Sequence, residues 1–343
     1  MRVLLSADAV GGVWAYATDL RAALEPLGVE AVLATVGPQA PPDGSPHLPG
    51  RLEWQEDPWD DVARAGAWLR DLAAQERADV VHLGQLAAGA EAWPCPVLVV
   101  GHSCVASWHE AVRGTPAPAS WDGYRDAVRR GLHAADEVVA PSAAMLDALR
   151  RHYGLGDRGR VVHNGVAPGP APAAAREPVV LAAGRLWDEA KGLDALDAAA
   201  AACPWPVEVA GAADGADAAH ARLLGPLPRA ALRERMARAA VFAHPARYEP
   251  FGLAPLEAAQ AGCALVLGDI PSLRELWDGA ALFVAPGDPG ALGRALQRLA
   301  ADDALRERLA LAARGRARDR TAERMARAYL ATYRTLASTP VTA

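Results

Sequence analysis

Residues 167–178 read APGPAPAAAREP, with prolines at 168, 170, 172 and 178 and no apolar periodicity. Proline continues neither helix nor sheet, so this stretch is expected to be a linker that divides the chain in two. On its N-terminal side, residues 3–5 (VLL), 29–36, 78–82 (ADVVH), 97–101 (VLVVG) and 137–140 (EVVA) are apolar runs separated by helical stretches, the first helix near 13–27. On its C-terminal side, 179–184 (VVLAAG), 207–209, 241–243, 264–267 and 282–284 repeat the rhythm. Short runs that are apolar throughout, alternating with helices, predict strands buried on both faces of a doubly wound parallel sheet. The expectation is therefore α/β, with two Rossmann-like domains facing across a cleft at the carboxyl ends of their strands. The expected boundaries are 1–166, linker 167–178, 179–320, and a C-terminal helix over 321–343 that packs back on the first domain.

Composition narrows the class. A chain of 343 residues exceeds one comfortable core, and 52% hydrophobic residues are enough for two. A net charge of −6 argues against a dedicated nucleic-acid binder. The cysteines at 95, 104, 203 and 263 show no CxxC spacing, which reads as reduced thiols in the cytoplasm. No apolar run approaches the roughly 20 residues of a membrane span. The arginine-rich last 55 residues, including Arg306, Arg308, Arg314, Arg316, Arg318 and Arg320, read as solvated helix faces; attachment to the inner membrane surface is the lesser alternative. The Pro-rich loops at 37–50 and 114–120 are expected to line the rim of the first domain.

Of 35 basic side chains, only Lys191 is a lysine; Asn164 and Ile270 are likewise single. Arginine does not copy the compact point charge of lysine, so a lone survivor of a GC-rich coding bias draws attention to its neighbourhood. Lys191 stands six residues after Arg185 in GRLWDEAKG (184–192), where a strand gives way to a helix. Two cations there can neutralise a leaving diphosphate. A second signal is RYEPFGLAPLEA (247–258), in which Glu249 and Glu257 are eight apart across a glycine turn, with Pro255 suited to a first helical turn. The N–H groups of Phe251, Gly252, Leu253 and Ala254 would form an anion nest at the positive end of a helix dipole, with a carboxylate on each side for hydroxyl groups. The plainer alternatives are a surface lysine and a carboxylate that merely decorates a helix.

These elements, in this order with Gly11-Gly12, His102, Asn164-Gly165-Val166, Gly225-Pro226-Leu227 and Pro286-Gly287-Asp288-Pro289, resemble the family 4 retaining glycosyltransferases of the GT-B fold over nearly the full chain. The resemblance implies hexosyl transfer from a nucleotide diphosphate sugar to an acceptor hydroxyl, with retention at the anomeric carbon. It gives Arg185 and Lys191 to the diphosphate, Glu249 to the sugar hydroxyls and Glu257 to the ribose. Phe251, Gly252 and Leu253 go to sugar and phosphate, and Gly225, Pro226 and Leu227 lie near the base. Gly11 and Gly12 would approach the phosphates, and His102 the donor sugar or reacting centre. His82 and His163 read as structural, and Asn164 as an Asn-Gly turn residue or a neighbour of the site. Ser103 stands where many relatives have an acid, and Ala167 replaces the usual Asp after Asn-Gly-Val.

With no Asp-x-Asp motif, no metal and no other cofactor is expected, the nucleotide sugar being a co-substrate. The base (UDP, GDP or ADP), the sugar and the acceptor (polysaccharide, lipid-linked or small molecule) stay open, as does the oligomeric state. A GT-B nucleotide-sugar epimerase, a two-carboxylate hydrolase and a non-catalytic sugar-nucleotide binder are the alternatives. A Rossmann dehydrogenase lacks its spaced glycine fingerprint here.

Overall fold

In the computed structural model, which describes residues 1–9 and 11–338, the apolar runs form two all-parallel sheets. The chain divides into two units, one made of Met1–Gly165 with the described residues from Ala322 onward, the other of Val166–Thr321. The tail of the expected C-terminal helix, 339–343, lies outside the described residues.

The first unit runs β1 (Arg2–Ala7), α1 (Gly11–Leu24), β2 (Glu30–Val36), β3 (His47–Leu48), α2 (Trp59–Gln75), β4 (Val80–Leu83), β5 (Val97–Val100), α3 (Val105–Arg113), α4 (Asp122–Ala134), β6 (Glu137–Ala140), α5 (Ala143–Tyr153) and β7 (Arg160–Val161). Its strand order is β3-β2-β1-β4-β5-β6-β7. Alternate residues face opposite sides of the sheet: Val81, Leu83, Val97, Val99 and Val138 join the core beneath α2, α4 and α5, while Val80, Leu98, Val100 and Val139 are as fully buried on the other side. Helix α1 stops at Leu24, short of the expected residue 27, because Pro26 diverts 25–27 into a 3-10 turn. Helix α5 shows how such elements are delimited: Ser142 accepts the Met145 N–H at its start, and Gly154 takes the left-handed conformation at its end.

The second unit runs β8 (Glu177–Ala183), α6 (Leu193–Ala200), β9 (Val207–Ala210), β10 (Arg222–Gly225), α7 (Arg229–Arg238), β11 (Ala239–His244), α8 (Leu253–Gln260), β12 (Ala264–Gly268), α9 (Pro271–Trp277), β13 (Ala281–Val284), α10 (Pro289–Ala301) and α11 (Asp303–Ala317). Its order is β10-β9-β8-β11-β12-β13. Leu181, Phe242 and Leu265 face α7, α8, α9 and part of α11; Val180, Val241 and Val266 face α6, α10 and the rest of α11. Burial on both faces explains why these strands read as unbroken apolar runs. The last helix, α12 (Ala322–Ser338), belongs to the first unit and packs on α1.

Three strands escape the sequence reading. β3 and β7 have two residues each and β10 reads RLLG; all lie at a sheet edge, where one side needs no apolar cover.

Candidate functional site

In an open parallel sheet, ligands bind beyond the carboxyl ends of the strands where the strand order reverses. In the second unit that point lies between β8 and β11. Arg185 and Lys191 follow β8, and Glu249 follows β11, so neighbouring strands deliver the two signals of the sequence to one edge.

Past β8, Arg185 Nη2 lies 2.9 Å from Asp188 Oδ2, and its guanidinium stacks 5.2 Å from the ring centroid of Trp187, itself 45% exposed. Asp188 is buried, and its Oδ1 accepts the Ala190 N–H at 3.1 Å, starting a 3-10 turn over Glu189–Lys191. The Arg247 N–H donates to Ala190 O at 2.8 Å, tying this turn to the loop after β11. Gly192 closes the turn at φ 70°, and a Cβ there would lie 2.7 Å from Pro245 O. Both the conformation and the close approach require glycine.

Lys191 Nζ lies 2.9 Å from Glu249 Oε2, and His244 Nε2 lies 3.0 Å from the same oxygen. Burial alone would raise the Glu249 pKa; the charge of Lys191 and the hydrogen bonds from His244 and Lys191 outweigh it and hold the carboxyl well below the usual range. Ser272 Oγ donates to the Glu249 carbonyl, fixing the backbone as well. Gly252, at φ 90°, turns the chain into α8; a Cβ there would crowd Pro255 Cγ at 3.2 Å and Glu249 Cγ at 3.4 Å. The Phe251 side chain is core, and Leu253 and Ala254 pack against the same cluster. Pro255 is the third residue of α8, and Glu257 is buried in its second turn. Arg229 Nε and Nη2 both reach Glu257 Oε1, at 2.7 and 2.6 Å, and Arg233 Nε stands 3.7 Å away. Gly225 ends β10, its carbonyl accepting the Gly211 N–H at 2.9 Å; Pro226 is exposed and Leu227 half-buried beyond it.

The structure thus brings Lys191 and Glu249 into contact, while Arg185 pairs with Asp188. His244, Asp188, Arg229 and Ser272 were not assigned from sequence. His244 carried a usable signal, a histidine ending an apolar strand, much as His102 comes just after one, whereas Arg229 meets Glu257 only through the packing of α7 on α8.

In the first unit, His102 follows β5 and its Nε2 is shielded from solvent, with no hydrogen-bond partner among the described residues. Burial pushes its pKa down to about 4, so the ring is neutral near pH 7. Gly11 opens α1 and, with Gly12, is exposed. His82 is buried and bonded to two tyrosines, whereas His163 is exposed. Asn164 is 5% exposed, its Oδ1 without a partner among the described residues, and the Asn-Gly turn expected there does not form: 162–165 carry no turn, and Gly165 has no positive φ. Among the described residues, no group of three or more His, Cys, Asp or Glu side chains is placed to hold a metal ion, and no helix is long and apolar enough to cross a membrane.

Comparison with known proteins agrees with this architecture. Residues 10–169 match the profile described as Glycosyltransferase Family 4, and residues 171–316 match Glycosyl transferases group 1. The glycogen synthase of Mycobacterium tuberculosis is 29% identical, over 74% of this chain and 68% of its own. Among solved structures, sucrose-phosphate synthase from Thermosynechococcus elongatus is similar with a TM-score of 0.83 at 22% identity, covering 98% of this chain and 99% of that one. Anabaena HepE in complex with UDP-glucose is similar at 0.77 and 19% identity, covering 98% and 100%. With both halves matched in order and the GT-B fold in place, the chain belongs to the family 4 retaining glycosyltransferases.

Proposed function

We propose that this chain moves a hexose from a nucleotide diphosphate sugar to an acceptor hydroxyl without a metal, the second unit binding the donor and the first the acceptor. The observation that carries the reading is the buried Lys191–Glu249 pair beside the start of α8. A lysine paired with a carboxylate can pass to a diphosphate when sugar hydroxyls take over the carboxylate, so neither buried charge is left without a partner. Arg185 makes the same exchange, leaving Asp188 for the second phosphate. The N–H groups of Gly252, Leu253 and Ala254 add hydrogen bonds and the helix dipole. Glu257, oriented by Arg229, accepts from the ribose through its other oxygen, and the Gly225, Pro226 and Leu227 stretch meets the base. Gly11, Gly12 and His102 are assigned to the donor by the family resemblance; the unpartnered His102 Nε2 supports the last of these.

In the reaction, the bond from the anomeric carbon to the diphosphate oxygen breaks. The acceptor oxygen bonds to that carbon on the same face, and its proton passes to the departing phosphate oxygen. No protein base is required. Arg185, Lys191 and the helix start stabilise the charge that develops on the leaving group. Scattered cysteines with no CxxC spacing support a reducing cytoplasmic setting, with any membrane contact peripheral.

UDP-glucose is the first donor to test, since HepE binds it, followed by the ADP and GDP conjugates. Purified protein is expected to release nucleoside diphosphate from one of them, faster when an acceptor glycan, lipid-linked sugar or small-molecule alcohol is added. No binding and no release across the series would overturn the reading.

A further inference from the structure

One cluster of buried polar side chains has no part in the chemistry described above. Three of the six tyrosines in the chain, Tyr16, Tyr329 and Tyr333, gather around His82 inside the first unit. His82 is 1% exposed; its Nδ1 lies 2.6 Å from Tyr333 Oη and its Nε2 3.1 Å from Tyr16 Oη. Burial pushes the His82 pKa down to about 3, so the ring is neutral and has one donor and one acceptor nitrogen. Whichever nitrogen carries the proton, one tyrosine donates to the ring and the other accepts from it. Phenylalanines would fill the same space without the cost of burying hydroxyls, so the hydroxyls need a reason to be there. The chain of contacts continues to His102, whose ring meets the edge of Tyr16 with centroids 4.4 Å apart at 69°. Tyr329 stacks on Tyr333 at 6.0 Å and closes the cluster from α12.

We propose that Tyr333, on the last helix, is a positioning residue for His102, acting through His82 and Tyr16. The two hydrogen bonds fix the tilt of the Tyr16 ring, and that ring limits the rotation of the His102 imidazole, whose Nε2 meets no hydrogen-bond partner among the described residues. The proposal rests on His102 acting on the donor sugar. A group that must meet a reacting sugar gains rate from being held in one orientation before the ligand arrives.

Tyr333→Phe removes one hydroxyl and tests this in the full-length protein. With histidine labelled with nitrogen-15, the His102 ring resonances are expected to move. Turnover should fall about five- to tenfold at unchanged donor KM, with a melting temperature within a few degrees of the parent. In a His102→Ala background the same change should cost no further turnover. The proposal is overturned by unmoved His102 resonances, or by an equal loss of turnover in the His102→Ala background, which would make Tyr333 a packing residue only. Should Tyr333→Phe not fold, Tyr16→Phe cuts the same chain of bonds from α1 and is read in the same way. If His102→Ala itself turns over like the parent, the reading of His102 on the donor fails; the resonance comparison still decides whether Tyr333 orients that ring.

Discussion

Lys191 Nζ lies 2.9 Å from Glu249 Oε2, so the single lysine of the chain is committed to a buried carboxylate before any ligand arrives. Each side chain is only 16% exposed, which makes the pair a matter of stability as well as chemistry.

Lys191→Met is therefore expected to do two separable things. Removing one member of a buried pair strands the other, at a cost of roughly 3–5 kcal/mol; the His244 hydrogen bond puts the expected loss near the lower end. Turnover should fall by orders of magnitude. Adding Glu249→Gln removes the stranded charge, so denaturant unfolding should show stability partly restored while product release stays lost. A Lys191→Met protein with near-parent turnover would sink the assignment.

The depressed Glu249 carboxyl sets an acid limit. A group whose pKa is lower folded than unfolded contributes stability that is complete above its unfolded value, near 4.5, and is lost as pH falls through the folded value. That contribution should persist through weak acid. His244→Phe removes one cause of the depression, so its acid unfolding midpoint should move to higher pH, measured by circular dichroism across pH 2–6. An unmoved midpoint would mean that His244 contributes nothing to holding the charge.

Glu53 behaves in the opposite sense. Its carboxylate accepts the N–H groups of Leu86 and Ala87 at 3.2 and 2.9 Å, yet burial pushes its pKa up to about 7. The proton it retains when folded contributes stability below pH 4.5 that drains away as pH rises through 7, with a ceiling of ~3 kcal/mol. Urea unfolding at pH 5 and pH 8 should show the parent losing stability over this interval and Glu53→Gln losing less. Equal slopes in the two proteins would refute it.

Arg229 fixes Glu257 through one carboxylate oxygen. Arg229→Ala should raise the donor KM on the order of tenfold, the equivalent of one charge-assisted hydrogen bond, with a smaller effect on kcat. Arg238→Ala, which breaks only the exposed pair with Glu177, is the comparison and should leave both constants unchanged.

Gly192→Ala adds a methyl group at φ 70°, 2.7 Å from Pro245 O. A cost of ~1–3 kcal/mol is expected from strain, together with reduced turnover, because the turn that carries Lys191 has to shift. Unfolding and initial rates measured on one preparation check both.

The parallel sheets were legible in the sequence because the strands that build them are buried on both faces, so VLVV at 97–100 and VVLAA at 179–183 leave an unbroken apolar trace. His47-Leu48 and Arg160-Val161 leave none, since an edge strand of two residues is held by backbone pairing. Arg185, Lys191, Glu249 and Glu257 stand in the sequence because fixed local spacing carries them. Their partners Arg229 and Ser272 lie 28 residues before Glu257 and 23 after Glu249, on other helices, where only tertiary packing creates the contact. The Asn-Gly pair at 164–165 misled for the converse reason: a strong local turn preference yields where the pair is buried by its surroundings.

The last helix has a consequence for how the protein is made. Tyr16 and His82 leave the ribosome early, but Tyr333, which bonds to His82, follows only after all of 166–321 has been synthesised. At about 5–20 residues per second that interval lasts roughly 10–30 s. The unit that begins first is thus completed last, and a nascent chain halted near residue 321 would carry a finished second unit and an unsealed first one. A chain cut back to residue 321 would leave Tyr16 and His82 uncovered, so its first unit is where proteases are expected to enter.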